Sequence, residues 1–252
     1  MSILSSARRV YCIGLKGVGM TALAQILKAQ GKEVWGSDTA EHFFTERVLA
    51  RAGVECLEGF DAGHLNRQID AVVYSTAYDD SNSELKAARA KNLPCISYPE
   101  ALGELTREAQ SIAVAGSHGK TTTTAWLAHV LQAANLAPAA LVGSEVKQWQ
   151  GNVLTGSGEL FVFEADEYQN KFQYFTPHAV ILTSIQWDHP DFFKTAEEYL
   201  AAFVVFLKKI PSDGFVVANY DDELVKQAVM AADLKPEQIV TYGLKSGNSS
   251  AN

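Results

Sequence analysis

Cysteine is scarce in this chain, with three residues, Cys12, Cys56 and Cys95, among 252. The number is odd, and no two of them form a Cys-x-x-Cys pair. Such a set predicts neither a disulfide framework nor a zinc site, because both need paired cysteines at characteristic spacings. We therefore interpret the three as free thiols in a reducing compartment and predict a cytoplasmic protein.

Positive charge is also in short supply. The 21 Lys and Arg residues are outnumbered by 29 Asp and Glu residues, which leaves a formal net charge of -8. Non-specific nucleic-acid binding needs a basic surface, so we predict no nucleic-acid partner. Long hydrophobic runs are missing as well. No stretch approaches the roughly 18 apolar residues of a membrane span, and residues 1–9 lack the apolar core of a signal peptide. We predict no membrane partner.

Short apolar runs alternate with helix-like patterns along the chain. In the first half, strands are predicted at 10–13, 33–38, 71–74 and 95–97, and helices at 20–30, 47–52 and 84–91. The pattern restarts near Ser111, with strands at 112–115, 160–163, 179–182 and 215–218, and helices at 122–135 and 196–209. This order predicts an α/β fold with parallel sheets. We predict two domains, 1–107 and 108–252, and interpret the polar segment 245–252 as a frayed end or a cut through a longer chain.

A glycine-rich turn, with Gly14, Gly17 and Gly19, lies between the first predicted strand and the first predicted helix. Without Cβ atoms the backbone can approach a diphosphate closely, and the helix start offers free N–H groups. The spacing is Gly-x-x-Gly-x-Gly rather than Gly-x-Gly-x-x-Gly. Asp38 ends the next strand, where dinucleotide-binding folds place an acid on a ribose. The turn alone is compatible with a nucleotide or nucleotide-sugar, with an NAD-type cofactor, or with a plain tight turn.

A second glycine turn, with the sequence AGSHGKTT at 115–122, follows one predicted strand and opens one predicted helix. Backbone N–H groups in such a loop cradle phosphate oxygens, Lys120 would bridge the β- and γ-phosphates, and the Thr121 hydroxyl would bind Mg²⁺. The general motif Gly-x-x-x-x-Gly-Lys-[Ser/Thr] has glycine where this chain has Val114, so only its second half is matched. The strand–helix context favours a nucleoside triphosphate site over a glycine turn with an ordinary surface lysine.

Polar clusters follow two later strands. Glu164, Asp166 and Glu167 close one predicted strand, and His189 follows the next. The carboxyl ends of parallel strands meet at one edge of a sheet, and Mg²⁺ takes oxygen ligands that substrate phosphates complete. We predict Glu164 as a metal ligand, with a solvated acidic turn as the alternative. His189 is predicted either to bind a second metal through a ring nitrogen or to be an ordinary loop histidine.

These residues together resemble the Mur ligases, the ATP-dependent amide ligases of peptidoglycan assembly. The motifs that carry the resemblance span nearly the whole chain: GLKGVGM at 14–20, GSD at 36–38, STA at 75–77, AGSHGKTTTT at 115–124, EADE at 164–167 and DH at 188–189. The phosphate loop of that family also lacks the leading glycine, which accounts for Val114. Within the family, the chain is most similar to the branch that joins L-alanine to UDP-N-acetylmuramate.

The resemblance implies a Rossmann-like first domain that binds the UDP-sugar and a P-loop ATPase-like second domain that is only partly present. A third, amino-acid-binding domain would be absent from this sequence. ATP and Mg²⁺ are the implied cofactors, Lys120, Glu164 and His189 the catalytic residues, and Thr121, Glu164 and His189 the metal ligands. The implied ATP-binding residues are Gly116, Ser117, His118, Gly119, Lys120, Thr121 and Thr122. The implied UDP-sugar-binding residues, which replace the NAD interpretation, are Gly14, Leu15, Lys16, Gly17, Val18, Gly19, Met20, Ser37, Asp38, Ser75, Thr76 and Ala77.

The implied reaction joins L-alanine to UDP-N-acetylmuramate through an acyl phosphate, on a monomer or homodimer, with little activity expected of this chain alone. Several sister ligases carry a carbamylated lysine fifteen residues after the family histidine. Val204 stands there in this chain, which favours the L-alanine branch. The segment YQNKF at 168–172 is similar to the related ligase that attaches a recycled murein peptide. Two other classes stay open: a non-catalytic module that binds UDP-sugar and MgATP, and a P-loop kinase or ATPase.

Overall fold

The computed structural model describes residues 2–156 and 159–244. The segment 245–252, predicted to be a frayed or cut end, lies outside the described residues. None of the helices in the two described ranges combines the length and the hydropathy that a membrane span requires.

Helices and strands alternate along the described residues. The helices are α1 (Ile3–Ser6), α2 (Val18–Ala29), α3 (Thr45–Ala52), α4 (Ser83–Ala90), α5 (Tyr98–Glu108), α6 (Lys120–Ala133), α7 (Ala196–Leu207) and α8 (Glu223–Ala231). The strands are β1 (Arg9–Ile13), β2 (Glu33–Asp38), β3 (Glu55–Glu58), β4 (Ala71–Tyr74), β5 (Cys95–Ser97), β6 (Gln110–Ala115), β7 (Ala139–Val146), β8 (Gly151–Leu154), β9 (Leu160–Glu164), β10 (Ala179–Leu182), β11 (Phe215–Asn219) and β12 (Ile239–Tyr242). Short 3₁₀ segments cover Ala62–Asn66, Lys147–Trp149, Tyr168–Tyr174 and Pro236–Gln238.

Five parallel strands form the first sheet, in the order β3-β2-β1-β4-β5. From β1 the chain adds β2 and β3 on one side and then β4 and β5 on the other. Because crossovers between parallel strands are right-handed, this reversal of direction places helices on both faces of the sheet. The central strand β1 is buried from Val10 to Ile13, which explains its continuous apolar run. The carboxyl ends of β1, β2 and β4 meet at one edge, where the first glycine turn begins.

The second sheet has the strand order β12-β11-β10-β6-β9-β7-β8. Its strand β6 pairs in parallel with β9 on one side and with β10 on the other. The chain therefore leaves all three strands at the same edge, which brings together the phosphate loop, the acidic cluster and the Asp188-His189 segment. The predicted α/β class with parallel sheets is confirmed.

Two compact units divide the described residues. Within the described residues, the first unit comprises 2–105 with 143–156, and the second comprises 106–142 with 159–244. A single cut at 107/108 was expected from the sequence, and the units differ from it because the segment from Gly143 packs with the first unit. That segment carries the second half of β7 and all of β8, and β8 packs against α2.

The sequence patterns do not predict α1, α5, α8, β3, β7, β8 and β12. Most of these elements are short or half-exposed, so their hydrophobic periodicity is weak. Helix α5 contains Pro99 in its first turn, where a missing N–H removes no helical hydrogen bond. Helix α8 had a visible start signal, since Asp222 precedes it and accepts hydrogen bonds from the backbone N–H groups of Leu224 and Val225.

Candidate functional site

The phosphate loop connects β6 to α6 in the second unit. Gly116 and Gly119 have φ angles of 135° and 77°, which favour glycine. A Cβ atom on Gly116 would lie 2.2 Å from the Thr183 hydroxyl oxygen, so only glycine fits there. Gly119 is the N-cap of α6, and the helix begins at Lys120, two residues earlier than the predicted start at 122. The loop N–H groups thus lie at a helix N-terminus, which suits an anion.

The segment after β10 holds the loop in place. The Thr183 hydroxyl donates to the His118 carbonyl at 2.6 Å, and the Ser117 N–H donates to the Ser184 carbonyl at 2.9 Å. The His118 ring nitrogen Nε2 lies 2.8 Å from Gln186 Oε1. His118, an implied ATP-binding residue, therefore contacts Gln186 and belongs to the support of the loop.

Lys120 lies between the loop and the acidic cluster. Its Nζ donates to the Gly116 carbonyl at 2.6 Å and is 3.4 Å from Glu167 Oε2. The amine is mostly buried, and Glu167 is fully buried. The amine therefore lies between a backbone carbonyl of the phosphate loop and a carboxylate of the acidic cluster.

Thr121 and Glu164 are brought together, as the implied metal site requires. The Thr121 hydroxyl lies 2.9 Å and 3.1 Å from the two carboxylate oxygens of Glu164. A hydroxyl and a carboxylate are oxygen ligands of the kind that Mg²⁺ prefers. Thr122 follows on the exposed side of α6.

A second group of potential ligands surrounds His189. Ligand atoms of Asp166, Glu167 and His189 all lie within 4.8 Å of one another, and His189 Nε2 is 3.8 Å from Glu167 Oε1. Of the acidic cluster, only Glu164 was predicted as a ligand, and Asp166 and Glu167 had no predicted role. Their spacing at a strand end was the available signal, but which acid points toward His189 depends on the turn that follows β9.

Tyr199 of α7 also reaches this cluster. Its hydroxyl donates to Glu167 Oε1 at 2.7 Å and lies 2.9 Å from the Ser117 hydroxyl oxygen. Burial raises the pKa of the Tyr199 phenol well above its usual range, and the hydrogen bond to Glu167 adds to the rise. The phenol therefore stays protonated and acts as a donor. From its sequence Tyr199 was predicted only as part of a helix, because no motif includes it.

The first glycine turn connects β1 to α2 in the first unit. The N–H groups of Gly14 and Leu15 donate to the Ser37 carbonyl at 2.9 Å and 3.0 Å. Gly14 has a φ angle of 84°, and a Cβ atom there would lie 2.7 Å from the Tyr78 ring and 2.8 Å from Ser75. A Cβ atom on Gly19 would lie 2.7 Å from the Tyr98 ring. Glycine is therefore needed at these two positions, because side chains of the protein itself approach the backbone of the turn closely.

Asp38 and Lys16, two predicted UDP-sugar contacts, make several protein contacts. The Asp38 carboxylate accepts from the Lys16 N–H at 2.6 Å, the Thr39 N–H at 2.8 Å and the Tyr78 hydroxyl at 3.2 Å. Burial, with the adjacent Asp38 charge, raises the pKa of Tyr78 to about 12. The Lys16 amine pairs with Glu46 at 2.6 Å and also donates to two backbone carbonyls.

The other predicted UDP-sugar residues differ in accessibility. The Ser37 hydroxyl is fully buried and donates to the buried carboxylate of Glu84. Leu15 and Met20 are buried, whereas Thr76 and Ala77 are exposed beside the half-buried Ser75. Gly17 and Val18 are exposed at the start of α2. Sequence position alone did not separate the buried members of this set from the accessible ones.

Two cavities lie in the first unit near this turn. One of about 310 Å³ is lined by residues that include Lys16, His42 and Cys56. The other, of about 250 Å³, is lined by residues that include Val18 and Asn152. The larger cavity is at the lower end of the volume range of small-molecule sites, roughly 300 to 1,000 Å³, and the smaller one lies just below that range.

Comparison with protein families assigns the class of this molecule. A family model described as "Mur ligase middle domain" matches residues 114–252, and one described as "Mur ligase family, catalytic domain" matches residues 9–110. The first of these matches covers more than half of the chain. The chain belongs to the Mur ligase family, as its motifs predict.

Two relatives narrow the likeness further. The chain is 41% identical over 239 residues to a UDP-N-acetylmuramate–L-alanine ligase of Rubrobacter xylanophilus, which covers 95% of this chain and 52% of that protein. It is 39% identical over 236 residues to a ligase of the same name from Desulfitobacterium hafniense, covering 93% of this chain and 51% of that protein. The chain thus spans about half the length of these relatives.

Solved structures share the fold. The UDP-N-acetylmuramate:L-alanyl-gamma-D-glutamyl-meso-diaminopimelate ligase of Neisseria meningitidis has a TM-score of 0.81 and 28% identity, covering 94% of this chain and 78% of that one. The UDP-N-acetylmuramate-alanine ligase of Thermotoga maritima has a TM-score of 0.77 and 29% identity, covering 94% of this chain and 53% of that one.

Proposed function

We propose that this chain carries the nucleotide-binding and UDP-sugar-binding parts of an ATP-dependent ligase that joins L-alanine to UDP-N-acetylmuramate. The observation that carries the proposal is the edge of the second sheet. There the phosphate loop, the Thr121–Glu164 pair and the Glu167–His189 pair converge. The proposed reaction is that of the L-alanine-adding ligases, which the chain resembles along nearly its whole length.

The phosphate loop is the proposed site of ATP. The N–H groups from Gly119 to Thr122, at the start of α6, would cradle its phosphates, and the Lys120 amine would neutralise charge on the β- and γ-phosphates. In this structure Lys120 contacts a carbonyl and a carboxylate, and phosphate oxygens offer it acceptors of higher charge.

The donor sets beside the loop fit Mg²⁺. Thr121 with Glu164 forms one oxygen-rich group, and Asp166, Glu167 and His189 form another with two carboxylates and one ring nitrogen. We propose Thr121, Glu164 and His189 as ligands, and add Glu167 because of its distance from His189. When bound, the ions would stabilise negative charge on the transferred phosphoryl group.

The proposed reaction has two steps. A carboxylate oxygen of the sugar's lactyl group forms a bond to the γ-phosphorus, the bond from that phosphorus to the bridging oxygen breaks, and ADP leaves. The amine of L-alanine then attacks the acyl carbon, phosphate leaves with its bonding electrons, and the nitrogen loses a proton to give the amide. The first step depends mainly on positioning and charge neutralisation, which Lys120 and the loop N–H groups provide.

The first glycine turn is the proposed site of the UDP-sugar diphosphate. The N–H groups at the start of α2 provide the anion-binding backbone, since those of Gly14, Leu15 and Lys16 donate to Ser37 and Asp38. The adjoining cavities give room for the rest of the ligand. Because both residues bond to other groups of the protein, we propose that the fully buried Ser37 shapes the turn and that Asp38 shapes it as well as contacting ligand.

Binding tests this proposal directly. The chain would be titrated by calorimetry with UDP-N-acetylmuramate, with and without Mg²⁺ and the β,γ-imido analogue of ATP. Saturable binding of both ligands is expected. Failure of a folded sample to bind either one would contradict the proposal, and phosphate release from ATP without any sugar requirement would indicate an ATPase or kinase instead.

A murein-peptide ligase is the second candidate. The Neisseria structure supports it, since that protein is named for a tripeptide acceptor and gives the TM-score of 0.81. The segment 168–172 favours it as well, by resemblance. Product analysis with UDP-N-acetylmuramate, ATP and either L-alanine or the tripeptide separates the two candidates. The protein to test is a chain of the relatives' full length that contains these 252 residues.

A further inference from the structure

Tyr199 links the phosphate loop to the acidic cluster. We infer that it is a positioning residue, which holds the Glu167 carboxylate and the Ser117 hydroxyl at a fixed separation so that loop and cluster bind the magnesium–nucleotide complex together. The inference rests on the proposed function, and neither the sequence motifs nor the names of the relatives assign this residue a role.

Aromatic packing immobilises the Tyr199 ring. The residue is 1% exposed and lies in the first turn of α7, where the Thr195 side chain caps the helix. Its ring packs edge-on against Phe193 at 5.1 Å and against Phe203 at 5.2 Å, between ring centroids. A ring held on both sides cannot move its hydroxyl freely, so the positions of its hydrogen-bond partners follow from the packing.

The available protons determine the direction of the hydrogen bonds. A carboxylate only accepts, so the phenol proton goes to Glu167. The one Ser117 proton is shared between the Gln186 carbonyl, at 2.8 Å, and the phenol oxygen, at 2.9 Å, and the Ser117 oxygen accepts from the Gln186 N–H. Ser117 is thus fixed from two directions, by Tyr199 and by the segment after β10.

The two oxygens of Glu167 face different partners. Oε1 receives the Tyr199 hydrogen bond and lies 3.8 Å from His189 Nε2, while Oε2 lies 3.4 Å from the Lys120 amine. Without the phenol hydroxyl, nothing on that side holds Glu167 Oε1 beside His189 Nε2. The carboxylate oxygen would turn away from the ring nitrogen, so that the two would no longer hold a metal ion together. The expected consequence is weaker binding of nucleotide with Mg²⁺ and little change without it.

The variant Tyr199→Phe tests this, because it keeps the packed ring and removes only the hydroxyl. Tyr11→Phe is a matched control: Tyr11 is also fully buried and donates to a buried carboxylate, Glu84, at 2.9 Å, but in the first unit. Both variants and the wild-type chain would be titrated by calorimetry with the β,γ-imido analogue of ATP, once with Mg²⁺ and once with a chelator.

Tyr199→Phe is expected to weaken binding with Mg²⁺ by about tenfold, as for loss of a hydrogen bond to a charged group, and binding without metal by less than about twofold. Tyr11→Phe is expected to change neither. Equal weakening with and without Mg²⁺, or no weakening at all, would overturn the positioning role while the proposed function stands. A folded wild-type chain that binds no nucleotide would overturn both.

A second variant covers the case in which Tyr199→Phe does not fold. Ser117→Ala removes the other end of the bridge and leaves the aromatic packing intact. Its binding is expected to weaken more with Mg²⁺ than without it, by about threefold in the ratio of the two affinities, as for loss of a neutral hydrogen bond. An effect of equal size in both conditions would overturn the inference.

Discussion

The two glycine turns of this chain share a local architecture and differ in their surroundings. Each follows a buried parallel strand and begins a helix, and each has a glycine with positive φ, Gly14 at 84° and Gly116 at 135°. Around the first turn, the Lys16 amine pairs with Glu46 and with backbone carbonyls. Around the second, the Lys120 amine lies beside a cluster of carboxylates and a histidine.

The difference shows that the strand–glycine–helix unit provides only an anion-binding backbone. In the first turn the charged side chains bind other groups of the protein. The turn can therefore hold a diphosphate, but it has no charged groups placed to take part in a reaction. In the second, charged groups from three strand ends converge, which is the arrangement that phosphoryl transfer needs. Both turns share the local motif, and the side chains at the ends of neighbouring strands determine what each turn can do.

Lys120→Ala is expected to have the largest effect on ligand affinity. If the comparison is right, removing the Lys120 amine should weaken nucleotide binding, whereas removing the Lys16 amine should not weaken ligand binding. Loss of a charged partner of this kind costs about 2–5 kcal/mol, or roughly thirtyfold to several thousandfold in affinity for the magnesium complex of the ATP analogue. Binding of UDP-N-acetylmuramate should persist, because its proposed site is the first turn. Calorimetry of both ligands measures this, and lost sugar binding in a folded variant would contradict the assignment of two sites.

Gly116→Ala compared with Gly17→Ala tests the backbone of the two turns. The alanine Cβ at 116 would overlap Thr183 in a backbone conformation unfavourable to alanine, so we expect a loss of about 2–4 kcal/mol in the free energy of unfolding. At Gly17 the nearest atom is the Gly14 carbonyl oxygen, at 3.4 Å. The expected loss there is under about 1 kcal/mol. Urea denaturation measures both, and equal losses would show that the two turns are equally constrained.

Lys16→Met should reduce stability rather than ligand affinity. The methionine keeps the apolar stem and removes an amine that binds Glu46 and the carbonyls of Thr39 and Glu41. We expect a loss of about 1–2 kcal/mol in the free energy of unfolding. If UDP-sugar affinity fell while stability stayed constant, the amine would be a ligand group, and the contrast with Lys120 would disappear.

The smallest effect expected is a pH dependence confined to the first unit. Hydrogen bonds from the Arg9 side chain and backbone lower the pKa of Asp70 from 3.8 to about 2. A carboxyl with a lowered folded-state pKa stabilises the fold above its unfolded-state pKa, and this contribution disappears as pH falls from about 4 through about 2. The Arg9–Asp70 pair is partly exposed, so the effect is small.

Comparing wild type with Asp70→Asn by thermal unfolding at several pH values checks this dependence. The difference between the two proteins should be present near neutrality and shrink below pH 4. A difference that stays constant down to about pH 2 would show that the pKa of Asp70 is not lowered by folding.

Much of the fold followed from local patterns. The strands β2, β4, β5 and β10 begin and end where the sequence predicts. In β4 and β10 the reason is a continuous apolar run, AVVY and AVIL, which has a strong signal. The edge strands β3 and β12 were missed, because four residues at a sheet edge give too short a pattern to identify, even though exposure alternates along β12. Part of the candidate site was predicted in the same way: Lys120, Thr121 and Glu164 belong to motifs whose order specifies their chemistry.

The sequence by itself determined the class of fold, the family and the two glycine turns, because each depends on residues that are neighbours along the chain. Only the tertiary structure decided which acid approaches His189, that Ser37 is buried, and that Tyr199 joins Ser117 to Glu167. These contacts join residues separated by 22 to 82 positions. Their geometry depends on sheet order and on side-chain packing, which no short stretch of sequence specifies.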